Sequence, residues 1–385
     1  MSEVFTETSS QSWFSRIGNS FKSLLFGGLI FVVAFPVLFW NEGRAVTTAR
    51  SLDEGQKLVV PIDVEVKEGA NEGKLIHATG RAATEETLRD ELFSIEANAI
   101  RLNRVVEMYQ WEEIEETENK KRVGGSMEKV TTYRYQPVWS TDRIDSTSFR
   151  QSDGHRNPTS MPIAGQEWTA AEVRLGEFVL SDPLVRQIKG AETVPADDQH
   201  IPEQYREKMR LAGGELYLGK QPDSPEIGDL RIRFTSTPAS DVSILAKQTG
   251  DTFSAYATEA GDSLNRLELG RYTAEEMFDH ARSENTALTW ILRAVGCGLM
   301  FGGLVMLMSP LAVLGDVVPL IGSIVQGGTF LVAGAICLIF APLTIAVAWM
   351  FYRPLIAVPL LLVSFGAFAF LVMQRRKTGS AVPAN

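Results

Sequence analysis

The sequence predicts a membrane protein: four transmembrane α-helices, one N-terminal and three C-terminal, plus a large α+β, strand-rich extramembrane domain. Three observations predict it. Residues 24–40 carry no charge, residues 289–385 carry the single acid Asp316, and the stretch between these regions is strongly acidic. Seven of the 37 Lys and Arg and three of the 47 Asp and Glu lie in 1–40 and 289–385. Residues 41–288 therefore hold the remaining 30 and 44, a net charge of −14.

Leu24 to Trp40 just spans a hydrocarbon core ~30 Å thick at ~1.5 Å per residue. Pro36 sits near its end, Trp40 takes the place of a belt aromatic, and Asn41-Glu42-Gly43-Arg44 returns the chain to polar character. A signal peptide is the competing reading, but no clear small-x-small cleavage site follows the apolar run. Upstream, Trp13, Phe14, Ile17, Phe21 and Leu24 recur at helical spacing in the 1–23 tail. They fit an interfacial amphipathic helix or an early start of the span. The later spans are expected at 291–309, 320–350 and 355–373, before a 374–385 tail. The last two are separated only by Phe351-Tyr352-Arg353-Pro354, a tight hairpin connection.

Four spans put both tails on one side. Arg16, Lys22, Arg375, Arg376 and Lys377 make that side cytoplasmic by the positive-inside rule and place 41–288 across the membrane. Ala294, Gly298 and Gly302, spaced by four, are candidates for helix packing or self-association. The spans lack ionisable residues at their centres, which weakens a transport role.

In the acidic domain, Val105 to Thr117 and Val130 to Ser140 read as paired strands joined by a polar loop. Tyr109 and Trp111 on one, with Tyr133, Tyr135 and Trp139 on the other, would form an aromatic ladder. Asp229 to Thr235 and Asp241 to Lys247 read as a second pair. Residues 84–104 fit either helix or strand, and a polar helix is expected around Glu203 to Leu211. Thr273-Ala274-Glu275-Glu276 is a capping box opening a helix toward Trp290.

The acidic surface argues against nucleic acid as a partner. Cys297 and Cys337 both lie in apolar stretches, so the domain has no disulfide or cysteine–metal framework. No metal site, cofactor motif or catalytic constellation stands out. The nearest acid–base candidate is Asp153 with His155, in a run that reads more simply as a turn. The acidic run Glu112 to Glu118 lacks the pattern of a calcium loop and fits a charged strand edge better.

The resemblance of the chain to a known family rests on several stretches. They are Asn41-Glu42-Gly43-Arg44-Ala45, Val106-Glu107-Met108-Tyr109-Gln110-Trp111, Tyr133-Arg134-Tyr135 and His155-Arg156-Asn157-Pro158. Gly228-Asp229-Leu230-Arg231, Thr273-Ala274-Glu275-Glu276 and Phe351-Tyr352-Arg353-Pro354-Leu355 complete the set. Together they resemble the transmembrane protein 43 (LUMA) family, and the VEMYQW block is the most specific. The resemblance implies four spans, cytoplasmic tails and a retained first span. It implies membrane organisation rather than catalysis, with self-association, lipid contact and, in a eukaryotic cell, emerin- and lamin-type partners. The site would then be the endoplasmic reticulum or inner nuclear membrane; in a prokaryote, the cytoplasmic membrane with a periplasmic domain. It supplies no catalytic residues. The alternative function is an enzyme or accessory subunit acting on lipid or envelope substrates at the membrane surface.

Overall fold

The structure, a computed structural model, describes residues 3–355. They fall into two compact units. One is made of 51–120 and 129–280 with the first nine residues, the other of 10–50, 121–128 and the chain from 281 onward.

The second unit is helical. Its three long helices are α1 (Trp13–Leu58), α3 (Ala274–Leu307) and α5 (Pro319–Tyr352), α2 being a single turn at Asp182–Val185. A short α4 (Ser309–Gly315) joins α3 to α5. All three long helices are long and apolar enough to cross a membrane. The fourth expected span, 355–373, lies outside the described residues apart from Leu355, as does the 374–385 tail.

α1 is longer than the expected span. It starts at Trp13 and runs through Asn41-Glu42-Gly43-Arg44 to Leu58, 46 residues, about 69 Å at 1.5 Å each. The helix continues because no proline intervenes in 41–58, and the contacts of Asn41, Glu42 and Arg44 with α3 hold it despite the weak helix formers Gly43, Thr47, Thr48 and Gly55. Its first turns begin at Trp13, upstream of the expected span. Phe14 and Phe21 are exposed, while Arg16 and Ser20 are buried. Glycines set the approach of α1 to α3. A Cβ on Gly303 would lie 2.6 Å from the Phe31 nitrogen and 2.8 Å from the Gly27 carbonyl, so only hydrogen fits there.

The first unit is built on two sheets. One runs in the order Glu3–Gln11, Met127–Ser140, Arg101–Lys121, Leu230–Thr237, Glu215–Leu218, Met209–Ala212. The other contains a closed ring of five strands: Leu75–Ala83, Ser240–Thr249, Thr252–Ser254, Phe178–Val179 and Arg174–Leu175. The burial pattern of Arg101–Lys121 alternates up to Gln110, the period of a strand with one face on a core. Leu102, Val106 and Met108 on that face join Leu230, Ile232 and Phe234 of the neighbouring strand, and the same core takes in Ile76, Val242, Ile244 and Phe253 of the ring. The capping box is present: Glu276 accepts from the Thr273 nitrogen at 2.8 Å and Thr273 Oγ1 accepts from the Glu276 nitrogen at 3.3 Å.

Several expectations need correction. The strands near Asp229 and Asp241 are consecutive but not paired. Leu230–Thr237 pairs with Arg101–Lys121, whereas Ser240–Thr249 pairs with Leu75–Ala83. Pro238 in the short connection lacks a backbone N–H and favours a corner over a hairpin ladder. The ambiguous 84–104 stretch is strand, with Thr87–Asp90 and Ile95–Asn98 forming a hairpin. Its turn is fixed by Asp90, which accepts from the nitrogens of Leu92 and Phe93 and pairs with buried Arg104 at 2.8 Å. The polar helix expected near Glu203 is one 3-10 turn at Glu203–Tyr205 followed by the strand Met209–Ala212, because Gly213-Gly214 closes a hairpin onto Glu215–Leu218.

The expected separation of 1–23 from 41–288 also meets two opposing contacts. Glu3–Gln11 is an edge strand beside Met127–Ser140, with Glu7 paired to Arg150 at 2.5 Å. Arg16, counted as a cytoplasmic anchor, donates to the Gly125 carbonyl at 2.5 Å and pairs with Asp316, which also takes Lys121 at 2.6 Å. Arg16 is therefore a paired, buried cation in this structure.

Candidate functional site: a buried polar cluster on three helices

Asn41-Glu42-Gly43-Arg44 occupies one turn of α1. Four consecutive residues point around the helix, so each meets a different neighbour. Glu42 is fully buried. Arg293 of α3 grips it with both arms, Nε to Oε1 at 2.6 Å and Nη2 to Oε2 at 2.9 Å. Trp349 of α5 donates its indole N–H to Oε2 at 2.8 Å. The guanidinium also lies over the Trp290 ring, 4.7 Å from its centroid. One carboxylate thus ties together three helices, and every one of its contacts carries charge-assisted or aromatic character.

The neighbours extend the cluster. Asn41 Nδ2 donates to the Thr289 carbonyl at 3.1 Å. Arg44 donates to Asn285 Oδ1 at 2.8 Å and to Thr289 Oγ1 at 2.9 Å, and Asn285 Nδ2 returns a bond to the Ala45 carbonyl at 3.0 Å. Gly43 leaves room for Tyr352: a Cβ there would sit 2.6 Å from the phenol Cζ. Arg353 ends α5, its nitrogen donating to the Trp349 carbonyl at 2.8 Å. Sequence reasoning singled out Asn41, Glu42, Gly43, Arg44 and the stretch holding Tyr352 and Arg353, but not Asn285, Thr289 or Trp349. Arg293 lies at the start of the expected 291–309 span. A charge so close to an apolar run was the available signal, since it needs a partner there.

The expected helix-packing face lies elsewhere on α3. Ala294 and Gly298 are exposed, and Cβ atoms on Gly298 and Gly302 would meet nothing within 4 Å among the described residues. The close approach to α1 is made instead by Gly303, and Gly296 lies against Leu38.

In the first unit a second set of motif residues converges. Trp111 and Asn157 are 46 positions apart. Asn157 Oδ1 accepts from the Trp111 nitrogen at 2.7 Å, and Asn157 Nδ2 donates to the carbonyls of Trp111 at 2.9 Å and Ile144 at 3.2 Å. His155 is buried. It stacks on Tyr135 with centroids 4.0 Å apart and meets Trp111 edge-on at 4.8 Å. The aromatic ladder therefore runs through a histidine that sequence reasoning left in a turn. Tyr109 meets Trp139 at 5.1 Å. Tyr135 donates to Glu113 at 2.6 Å; burial, reinforced by that carboxylate, pushes its phenol up to about 12. Burial alone would raise the Glu107 carboxyl, but Arg231 at 2.6 Å and Arg233 at 3.0 Å outweigh it and hold it below its ordinary value. Pro158 packs beside Gly228. Asp153 is exposed and pairs with Arg156 at 2.9 Å.

Both clusters contain residues that carry the family resemblance, and the comparisons decide it. A family profile described as Transmembrane protein 43 matches residues 108–354. Human transmembrane protein 43 is 34% identical over 388 residues, covering 97% of this chain and 95% of its own. The chain belongs to the transmembrane protein 43 family. The Drosophila melanogaster homologue is 32% identical over 345 residues, covering 88% of this chain and 91% of its own. The mouse protein is 34% identical over 354 residues, covering 88% of this chain and 87% of its own. No solved structure matches. Within this transmembrane protein 43 family chain, the Asn41–Arg44 turn locks helices and the VEMYQW and HRNP segments lock each other.

Proposed function

We propose that this chain is a non-enzymatic, multi-pass scaffold that organises a cell or nuclear envelope membrane and self-associates through α3. The fourth span, 355–373, is part of this reading, as are lipid and other envelope membrane proteins as partners. The observation that carries it is the division of labour between the α3 glycines. Gly296 and Gly303 are used inside the chain, whereas Gly298 and Gly302 border open space beside exposed Ala294. Small residues on a lipid-facing helix let a second helix approach closely. The use of Glu42, Arg293, His155 and Asn157 as cross-braces further supports a holding role over a catalytic one.

Crosslinking in native membranes at native expression tests the proposal. Oligomers should appear, and replacing Gly298 and Gly302 with Ile should reduce them while leaving the chain membrane-inserted. A monomer under those conditions sinks it.

A further inference from the structure

The strand Met127–Ser140 pairs on one side with Arg101–Lys121 and on the other with Glu3–Gln11, which ends that sheet. On the four-span reading residues 1–23 lie across the bilayer from 41–288, so the edge that Glu3–Gln11 covers here is open in the membrane. We propose that this edge is a strand-addition site for an extended acidic segment of a partner protein, one with an aromatic residue two positions before a carboxylate. The inference rests on the four-span reading and adds the chemistry of one partner.

The seated segment shows what the edge accepts. Phe5 lies against Tyr133 with ring centroids 6.2 Å apart. Glu7, two positions on, reaches the Arg150 guanidinium at 2.5 Å. Residues two apart project from one face of a strand, so Tyr133 and Arg150 together read the pattern Phe-x-Glu. The same segment carries the strand formers Val4, Thr6 and Thr8 and no basic residue. It is lightly held: Val4 and Phe5 remain exposed even when seated.

The edge itself suits pairing. Val130 to Tyr135 is rich in β-branched and aromatic residues and holds no proline. A bare row of backbone N–H and C=O groups templates another strand unless charge, proline or a bulge blocks it. Pro137 blocks only the far end. Backbone bonds supply affinity in such a complex and side chains supply specificity. Charge then selects the occupant. Residues 41–288 carry a net charge of −14, which repels acidic segments in general. Arg150 makes a local exception beside this edge, and with residues 3–11 across the bilayer it is without Glu7.

The test uses the full chain in sealed proteoliposomes, with Cys297 and Cys337 replaced by Ser. The probe is a peptide of residues 3–11 carrying a photoactivatable benzophenone in place of the Phe5 ring. Ser9→Cys and Ser126→Cys, labelled with an impermeant maleimide, report the side on which each lies. The expected result is a saturable crosslink to 127–140 in vesicles whose domain faces outward, absent with a scrambled peptide. Arg150→Glu should weaken binding about two- to fivefold, the range of an exposed ion pair, and a peptide with Glu7→Arg should recover it. No saturable crosslink, while the two cysteines label from opposite faces, overturns the site and leaves four spans standing. Equal binding of the scrambled peptide, or no recovery by the charge swap, overturns the stated chemistry. Labelling of both cysteines from one face overturns the four-span reading itself, since the edge then keeps its own strand. A disulfide-linked dimer through Thr132→Cys that the peptide does not displace assigns the edge to a second copy and overturns the proposal.

Discussion

Arg293 closes on Glu42 as a two-pronged fork, with Nε 2.6 Å from one carboxylate oxygen and Nη2 2.9 Å from the other. The carboxylate is fully buried. Its pairing is therefore an obligation more than a gain. Replacing a buried ion pair by apolar residues is often neutral, but removing one partner strands a charge and costs about 3–5 kcal/mol. Arg293→Met should destabilise the helical unit by that order. Glu42→Gln with Arg293→Met should recover much of the loss. Thermal unfolding of the full chain in detergent, as a double-mutant cycle, checks it. Additive losses would show that the fork is not coupled.

Asn157 serves three backbone groups of two distant segments, at Trp111 and Ile144. Asn157→Ala leaves these groups without their partner, and each buried group so stranded costs roughly 1–3 kcal/mol. A loss of several kcal/mol is expected in denaturant unfolding of the domain, far more than for Asp153→Ala, whose side chain is exposed.

His77 supplies a pH dependence. Burial lowers its pKa from the ordinary 6.5, only partly opposed by the Tyr272 carbonyl it reaches at 2.9 Å. The folded state thus binds the proton less well than the unfolded chain does. Stability from this group is fully present above pH 6.5 and is lost as pH falls from there toward the lower folded pKa. Unfolding midpoints should drop over that window, and His77→Gln should flatten the drop. An unchanged slope in the variant refutes the assignment.

Lys121 and Arg16 meet at Asp316, whereas the four-span reading, with 24–40 crossing the bilayer, would separate residue 16 from residue 121. Keeping the contact in a membrane would draw Glu112, Glu113, Glu115, Glu116, Glu118, Lys120 and Lys121 through hydrocarbon, at about 2.5–3.5 kcal/mol each near its centre. That exceeds the roughly 3–5 kcal/mol at stake in a buried pair. Insertion should win. A carbodiimide crosslink between Lys121 and Asp316 is expected in detergent and absent in membranes. Cysteines placed at Ser9 and Ser126 should label from opposite faces. Labelling from one face would instead favour the folded contact over a single crossing.

The glycines of α3 should respond differently. Gly303→Ile collides with Phe31 and Gly27 and should disrupt the α1–α3 packing. Gly298→Ile meets nothing within 4 Å among the described residues and should leave the unfolding free energy within about 0.5 kcal/mol, the usual range for substitutions away from contacts.

By itself, the sequence determined the membrane character of the chain, its apolar helices, its strand-rich acidic domain and its family. These follow from local quantities: runs without charge, period-two alternation and a capping box whose partners are three residues apart. The motif residues Asn41 to Arg44, Trp111, His155 and Asn157 were also legible as unusual. Their roles were not. Tertiary structure alone decided that Glu42 faces Arg293 and Trp349, that His155 fills a gap between Trp111 and Tyr135, and that two consecutive strands part into separate sheets. Each of those contacts joins residues tens to hundreds of positions apart. A buried charge or ring declares that it needs a partner, but only packing selects which one.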